Sequence, residues 1–431
     1  MKALTRATVL ILIAAMAAAC EEPGTQSIKD EPLRDVAYDA FMYAYPMIEQ
    51  VKTVNGMMQF MDVEFNQVSM NSRLPWDNVG MPIVAPNLTS MTGGVFLDLS
   101  RGPVTMEIPE VKDRYIVYQG IDAFTHNFYY MGTRGNQGDA GLFTFYNEGQ
   151  QLPDLDSTPV EVESDHAMIV IRIDVKDESD AERVRGIQNA IKIVDAPEGT
   201  RSYPEYDREK QFSPDFVEYV NELINEVPAG EELLFDRFAR IGVFSDVELT
   251  DAESAEVQTG IDSAFKYIDG EGMTLTQLGA GWIGATQLFG TREFLDNNYV
   301  YRAVGAHFGL WGNSKEEANY FMTRVEGEGE ISFAADELPP LTDIGFWSVT
   351  AHDENMLVQK NEFDSYVLTQ DKMAFEDDGS LTIKFSSRPE GSNWLYTPGG
   401  KMAILIRAYQ ADPALIGDYV PPAFIPKSCC P

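Results

Sequence analysis

The sequence predicts a mainly β fold with a helical insert, in which two β-sandwich or jelly-roll modules are joined by a helical region. Two stretches of short strands, residues 83–175 and 331–425, are punctuated by Gly, Pro and Asp and predict the modules. Residues 177–270 carry apolar side chains at helical spacing and predict the joining region. A chain of 431 residues is too long for one ordinary core, which favours two domains.

The predicted boundaries follow these changes of pattern. Residues 1–19 form a signal peptide and residues 20–30 a tether. Residues 31–176 hold an N-terminal helix plus the β-sandwich module. Residues 177–325 form the helical connecting region, and residues 326–431 form the C-terminal jelly-roll module.

The first 20 residues have the order of a secretory signal. A basic start precedes an apolar run that is shorter than the roughly 20 residues needed to cross a bilayer. Ala17-Ala18-Ala19-Cys20 resembles the lipobox of bacterial lipoproteins, whose cysteine is lipidated, and Glu21 resembles outer-membrane sorting. We expect a lipid-anchored protein of the cell envelope, at the outer membrane and facing the periplasm or the surface. An ordinary cleaved signal with an incidental cysteine is the alternative.

The individual elements are predicted from periodicity. A helix from Pro32 to Met61 follows from apolar residues at helical spacing, with a kink or a break at Pro46. Ser314 and Glu317 have the spacing of a capping box and predict a short helix over 314–324. Further helices are predicted over 181–188, 214–227, 231–241 and 251–268. Strands are predicted over 95–99, 104–108, 115–118, 168–175, 346–350, 381–385 and 402–407, with a turn at 377–379.

The charge of the chain excludes several partners. Its 68 acidic and 32 basic residues give a net charge of −36. This charge repels nucleic acid and disfavours electrostatic binding of a basic surface to anionic lipid. Contact with the membrane is therefore expected only through the lipid on Cys20. The spread of acidic residues is typical of a solvated surface in a salty habitat, such as that of a marine or halophilic bacterium. Calcium binding is the alternative interpretation of the acidic residues.

Motifs of the common enzyme classes are absent from the sequence. There is no G-x-S-x-G, H-E-x-x-H, G-x-x-x-x-G-K-[ST], G-x-G-x-x-G after a strand or C-x-x-C. The four histidines are isolated, so we predict no metal site and no cofactor, with calcium as the alternative. Cys429 and Cys430 are adjacent, which leaves open a strained disulfide, an intermolecular bridge, a soft-metal site or a tail without a role.

Several short sequence motifs, here called the family phrases, occur in a fixed order along the chain. They include Phe96-Leu97-Asp98-Leu99-Ser100, Gly132-Thr133-Arg134, Phe346-Trp347-Ser348-Val349-Thr350, Asn393-Trp394-Leu395 and Arg407-Ala408-Tyr409. Together they resemble the two-module bacterial family of domain of unknown function 1254 followed by domain of unknown function 1214. The resemblance covers nearly the whole chain after the signal. It implies an N-terminal β-sandwich module, a helical connection and a C-terminal jelly-roll module.

The chain departs from that family pattern in four places. Thr89 and Thr92 stand where the family has an aspartate and a tyrosine, so a reaction that used them has been changed or lost here. Tyr396 stands where the family has a proline. His352 replaces a tyrosine, which makes it either a switch or general base near neutral pH or a tolerated surface substitution.

The candidate ligand-binding residues lie within or beside the family phrases. An Arg side chain can donate two parallel hydrogen bonds to a carboxylate, and an Asn amide both donates and accepts hydrogen bonds. The faces of Trp and Tyr rings stack on sugar rings. The candidates are Asn87, Arg114, Asn127, Arg134, Arg302, Trp347, Asn393, Trp394 and Arg407, with Asp98 and Asn361 in the same phrases. Convergence in one cleft between the β modules would make a site for a small polar or sugar-like molecule. Buried groups that pair strands and loops are the alternative.

We therefore expect a cell-envelope lipoprotein that binds or hydrolyses a small polar or sugar-like ligand. Hydrolysis is the expected reaction class if the protein is an enzyme, because no nucleotide or redox cofactor signature appears. The first alternative is a non-catalytic structural or interaction lipoprotein of the envelope. A calcium-dependent adhesion module is the second.

Overall fold

The computed structural model describes residues 30–80, 85–295 and 298–427. Across these residues, four β-sheets form two β modules, with a helical region between them along the chain, so the predicted fold class is confirmed. No helix in the described ranges is both long and apolar enough to cross a bilayer. The predicted signal peptide, Cys20, almost all of the tether, and the Cys429-Cys430 pair lie outside the described residues.

The N-terminal module consists of two packed sheets. The first has the strand order β1-β2-β8-β4-β5 and is antiparallel, and the second has the order β7-β6-β3-β9. The strands are β1 (Val68–Met70), β2 (Ser90–Asp98), β3 (Val104–Ile108), β4 (Ile116–Asp122), β5 (Asn127–Gly132), β6 (Gly141–Tyr146), β7 (Thr158–Glu161), β8 (His166–Asp174) and β9 (Lys192–Asp195). Alternate residues of β2 and β8 face Met106 and Phe145 of the second sheet, which gives this module a core of its own.

A helical layer covers the other face of the first sheet. The helices of the described residues are α1 (Leu33–Met61), α2 (Ala181–Ala190), α3 (Arg208–Gln211), α4 (Val217–Leu223), α5 (Glu232–Phe238), α6 (Asp251–Asp269), α7 (Arg292–Leu295) and α8 (Tyr299–Gly309). Helix α2 is not part of this layer, because Ala181 and Val184 pack into the core of the N-terminal module. A second core joins α1, α4, α5, α6 and α8 to Phe96, Ile121 and Met168 of the sheet. Strand β4 is consequently buried on both faces.

Helix α1 is the centre of this layer. It packs against α6 so closely that a Cβ on Gly260 would lie 2.2 Å from the Arg34 carbonyl oxygen, which is why glycine is required there. The helix continues on both sides of Pro46, so it does not break there. All side chains from Ala40 to Val51 are buried. This packing outweighs the roughly 3 kcal/mol that an interior proline costs.

The C-terminal module repeats the two-sheet arrangement. Its sheets have the orders β10-β11-β12-β18-β14-β15 and β17-β16-β13-β19. The strands are β10 (Gln277–Gly279), β11 (Trp282–Gly284), β12 (Ala318–Glu326), β13 (Gly329–Phe333), β14 (Leu341–Asp353), β15 (Val367–Thr369), β16 (Leu381–Ser386), β17 (Trp394–Tyr396), β18 (Lys401–Ala411) and β19 (Ile425–Pro426). Trp347, Phe321, Ile383 and Ile404 meet between the sheets.

The predicted helix over 314–324 is wrong. Glu317 and Ala318 each donate a backbone hydrogen bond to the Ser314 carbonyl oxygen, which makes a single turn. The chain then extends as β12 and pairs with β18 along its whole length. The sheets also reach into the region predicted as a helical connection, because β9 pairs with β3 and β10 to β12 belong to the C-terminal module.

Candidate functional site

The sequence candidates lie at several separate places in the fold rather than in one cleft. Arg114 donates two hydrogen bonds, of 2.7 and 2.9 Å, to the Asp180 carboxylate just before α2. Asp98 accepts hydrogen bonds from the backbone of Ser100 and Arg201. These two side chains hold loops against the N-terminal module. Trp347 is enclosed in the core of the C-terminal module, 5.3 Å from Phe333 between ring centroids.

Asn127 and Arg302 are brought together beside α8. Arg302 is 2% exposed and donates hydrogen bonds to the carbonyl oxygens of Phe124 and Tyr43. Asn127 donates to the Gly312 carbonyl oxygen at 3.1 Å. Both side chains line a cavity of about 10 Å³. That volume holds about one water molecule, so it is too small for the expected ligand.

Charged side chains surround Arg302. Glu231 accepts hydrogen bonds from Tyr43 at 2.7 Å and from Arg292 at 2.8 Å. His126 lies 3.5 Å from the Asp122 carboxylate, and burial lowers the pKa of His126. The group therefore forms a hydrogen-bonded network that ties α1 and α8 to the turn between β4 and β5, although Arg302 Nε, Arg292 Nη2 and His126 Nδ1 are buried without a partner.

A second buried network joins the two modules. Glu317 is 1% exposed and accepts hydrogen bonds from Tyr115 at 2.7 Å, Arg134 at 2.8 Å and Gln410 at 2.6 Å. Tyr115 and Arg134 belong to the N-terminal module, whereas Gln410 is on β18. Burial raises the pKa of Glu317. The three donors keep its carboxylate at a fixed position in the junction.

Arg407 and Asn87 strengthen the same junction. Arg407 on β18 donates to the Ala85 carbonyl oxygen at 2.8 Å and to the Pro86 carbonyl oxygen at 3.2 Å. Asn87 donates to the Tyr409 hydroxyl at 3.2 Å. These contacts fasten the segment before β2 to the C-terminal module.

Asn393 and Trp394 brace the edge of the C-terminal module. Asn393 exchanges two hydrogen bonds with the backbone of Ala374. Trp394 donates to the Ser386 hydroxyl at 2.8 Å, and its ring meets Phe363 edge-on at 5.3 Å. Both residues support a neighbouring cleft without lining it.

The C-terminal cleft is the candidate functional site. It has a volume of about 330 Å³ and is lined by residues 351–355, 358, 359, 361, 365, 366 and 396–402. The end of β14 and the start of β18 form one side. The segment 354–366 forms another, and Asn361 from the sequence candidates lies on it. The cleft is thus built by the C-terminal module, not between the modules.

His352 lies in the wall of this cleft. Its side chain is on β14 beside Ala403 and is 3% exposed, so the alternative of a tolerated surface substitution is wrong. Both ring nitrogens are buried, and backbone groups of Thr350 and Ala403 lie near the ring. Burial and the nearby Arg407 charge lower the pKa of His352 to about 3. The imidazole is therefore neutral near pH 7.

The wall of the cleft is held in place from two directions. On one side, Gly80 donates a backbone hydrogen bond to Val358 at 2.9 Å, and Val79 and Leu88 pack on the same residue. On the other, the Ser365 hydroxyl donates to the Trp394 carbonyl oxygen at 3.1 Å. This support pre-forms the site, as is usual for small-molecule sites.

The polar groups of the cleft do not form a cation site. Within residues 30–80, 85–295 and 298–427, no group of three or more His, Cys, Asp or Glu side chains is arranged to hold a metal ion. Asp353 accepts hydrogen bonds from the backbone of Asn355 and Leu357 and from the Gln359 side chain. Its oxygens are thus engaged within the protein.

A solved structure shares the fold of this chain. No curated protein matches the chain. The VPA0106 protein of Vibrio parahaemolyticus shares 22% identity over 92% of this chain and 100% of its own, with a TM-score of 0.74, which shows a common fold. A putative uncharacterized protein from Burkholderia cenocepacia shares 13% identity over 86% of this chain and 85% of its own, with a TM-score of 0.44.

Two family models match separate parts of the chain. Residues 65–195 match the family of proteins of unknown function DUF1254, and residues 317–413 match the family of proteins of unknown function DUF1214. The resemblance predicted for the two domains is confirmed. The chain therefore carries an N-terminal DUF1254 domain and a C-terminal DUF1214 domain.

Proposed function

We propose that this protein binds a small polar, sugar-like ligand in the C-terminal cleft. The observation that carries the proposal is the C-terminal cleft of about 330 Å³, which is lined by two tyrosine rings and by three side-chain amides.

The rest of the cleft has the chemistry that such a ligand needs. Its volume of about 330 Å³ is at the small end of the range for ligand pockets. Tyr366 and Tyr396 supply aromatic faces, and the amides of Asn355, Gln359 and Asn361 lie along the same wall. Aromatic faces with a few amides suit the apolar faces and hydroxyl groups of a sugar.

The proposed location is the cell envelope. We propose that Cys20 is lipidated and that this lipid is the protein's membrane contact, at the outer membrane. The net charge of −36 supports this arrangement, because it repels anionic lipid and nucleic acid alike. A soluble ligand would then reach the cleft from the periplasm or the surroundings of the cell.

Binding is the activity that the cleft supports best. Glycoside hydrolysis uses two carboxyl groups that flank the scissile bond. Asp353, one of the carboxylates in the cleft, already accepts hydrogen bonds from Asn355, Leu357 and Gln359. We therefore propose recognition without a chemical step.

Thermal unfolding of the full chain with a panel of neutral mono- and disaccharides tests the proposal. A ligand at about 100 times its Kd stabilises the native state by about 2.7 kcal/mol, which raises the unfolding midpoint by a few degrees. Tyr396→Ala is expected to abolish the shift. Tyr146→Ala, on β6 of the other module, is the matched control and should retain it. A panel that gives no shift, or a shift unchanged in Tyr396→Ala, would contradict the proposal.

A structural or interaction role is the second candidate function. It is favoured by the engagement of four candidate arginines in ion pairs or carbonyl contacts. These are Arg114, Arg134, Arg302 and Arg407. The absence of any sugar-dependent shift in the same experiment would transfer support to this role.

A further inference from the structure

We infer that the N-terminal module positions the segment 354–366, which forms one wall of the C-terminal cleft, and that ligand affinity in the cleft depends on this contact between the modules. The positioning residues are Val79 and Leu88 of the N-terminal module. The inference rests on the proposed function and deepens it, because it concerns the control of the same site by the other module.

A small apolar cluster joins the segment 354–366 to the N-terminal module. Val79 and Leu88 pack against Val358, and none of the three side chains is more than 3% exposed. The ring of Tyr366 packs on the same cluster. Val358 and Tyr366 both line the cleft, so the cluster connects side chains of the cleft directly to the other module.

Two backbone hydrogen bonds cross between the modules beside this cluster. The Gly80 N–H donates to the Val358 carbonyl oxygen at 2.9 Å, and the Ala85 N–H donates to the Met356 carbonyl oxygen at 2.8 Å. A Cβ on Gly80 would lie 3.1 Å from the Lys360 side chain, and the φ of 76° at this position favours glycine. The two chain segments therefore approach each other closely along the wall of the cleft.

The segment that supplies these contacts is also attached to the C-terminal sheet. Arg407 on β18 donates to the Ala85 carbonyl oxygen at 2.8 Å, and Asn87 donates to the Tyr409 hydroxyl at 3.2 Å. Residues 85–88 thus contact both β18 and the segment 354–366. Because β18 and this segment form two sides of the cleft, the N-terminal module sets the position of one side relative to the other.

Coupling of this kind is reciprocal. If docking of the N-terminal module raises the affinity of the cleft for a sugar, the bound sugar stabilises the docked arrangement by the same factor. Exchange of the Gly80 and Ala85 amide hydrogens requires that their bonds to Val358 and Met356 open. A sugar bound in the C-terminal cleft should therefore slow exchange at two amides of the other module.

The test combines sugar titration with amide hydrogen exchange on the full chain. Glucose, galactose, maltose and cellobiose are the probes. At saturation with a sugar that binds, exchange at the Gly80 and Ala85 amides of the natural chain should slow by about fivefold or more.

Val79→Ala and Val160→Ala form a matched pair. Both remove two methyl groups at buried sites of the N-terminal module, which are 3% and 4% exposed, but Val160 is on β7 in the core of that module. Val79→Ala should weaken sugar binding by about threefold or more and speed exchange over residues 354–366, whereas Val160→Ala should change neither.

Val358→Ala alters the same cluster from the side of the cleft. It should act like Val79→Ala. The double variant should weaken sugar binding by less than the product of the two single effects, because the two side chains are in one cluster.

The outcomes separate the two proposals. Sugar binding that leaves exchange at Gly80 and Ala85 unchanged, or Val79→Ala with the affinity of the natural chain, overturns the inference while Tyr396-dependent sugar binding stands. If none of the four sugars binds, the proposed function fails, and exchange over residues 354–366 decides the positioning role. Faster exchange in Val79→Ala than in Val160→Ala then supports that role, and equal exchange overturns it. The sugar dependence of exchange in the natural chain decides the inference even if Val79→Ala does not fold.

Discussion

Glu317 accepts a hydrogen bond from Tyr115 across the junction of the two modules, with 2.7 Å between Oε1 and the phenolic oxygen. The two residues are 202 positions apart in the chain. Arg134 and Gln410 donate hydrogen bonds to the same carboxylate, so one buried side chain of the C-terminal module accepts hydrogen bonds from three residues. The junction is therefore held by directional contacts as well as by packing.

Removal of this carboxylate should destabilise the protein. In Glu317→Ala, the Tyr115 hydroxyl and the Gln410 amide stay buried without their acceptor, and we expect a loss of about 3 kcal/mol in the free energy of unfolding. Urea unfolding followed by tryptophan fluorescence measures it. The control is Asp139→Asn, which breaks the exposed pair with Lys112 and should cost less than about 1 kcal/mol. Equal losses in the two variants would contradict the role assigned to Glu317.

The same residue shows what local sequence pattern cannot predict. The spacing of Ser314 and Glu317 fits a capping box, but the Glu317 side chain bonds to distant residues instead of to the Ser314 backbone. By contrast, Thr250 and Glu253 have the same spacing and do form a capping box, at the start of α6. The predicted helix over 251–268 agrees with Asp251–Asp269. The difference lies in partners far away in sequence, which periodicity does not contain.

Arg302 should contribute to stability and not to binding in the cleft. Arg302→Met removes hydrogen bonds to the Phe124 and Tyr43 carbonyl oxygens and leaves both oxygens buried, so we expect a loss of about 3 kcal/mol. Its cavity of about 10 Å³ shares no lining residue with the C-terminal cleft. Sugar affinity, measured by titration at a temperature where the variant is folded, should be unchanged. A variant that loses affinity but keeps its stability would refute this assignment.

Buried histidines should make stability depend on pH. Burial lowers the pKa of His126, His166 and His352, the last to about 3 from an ordinary value of 6.5. Below pH 6.5 the unfolded chain therefore binds more protons than the folded one, so stability is lost as pH falls through this window.

His352→Phe isolates one of these contributions. The natural chain should become less stable relative to this variant by up to about 1.4 kcal/mol for each pH unit between pH 6 and pH 4. Urea unfolding of both proteins at each pH gives the difference. The comparison cancels the relief of repulsion that acid brings to a chain of net charge −36. A difference that stays flat over this range would show that the ring is already protonated or exposed in the folded state.

The C-terminal cleft could be predicted only in part. Asn361 and Trp394 were candidates because of their family phrases, and they line and support the cleft respectively. The burial of His352 depends on β18 beside it and on the segment 354–366, which packs on Val79 and Leu88 of the other module. An isolated histidine at the end of an alternating strand gives no sign of that environment.

The lipid anchor is the proposal that the sequence alone carries, and it has a direct test. If Cys20 is lipidated, cells that express the full chain and are fed an alkyne-labelled fatty acid should label the protein and retain it in the membrane fraction. Cys20→Ser should lose the label and move to the soluble fraction, because the chain of net charge −36 has no electrostatic attraction to anionic lipid. Cys429→Ser changes a cysteine at the other end of the chain and should behave like the natural protein. A label that persists in Cys20→Ser, or that is lost in Cys429→Ser, would place the lipid elsewhere and contradict the lipobox interpretation.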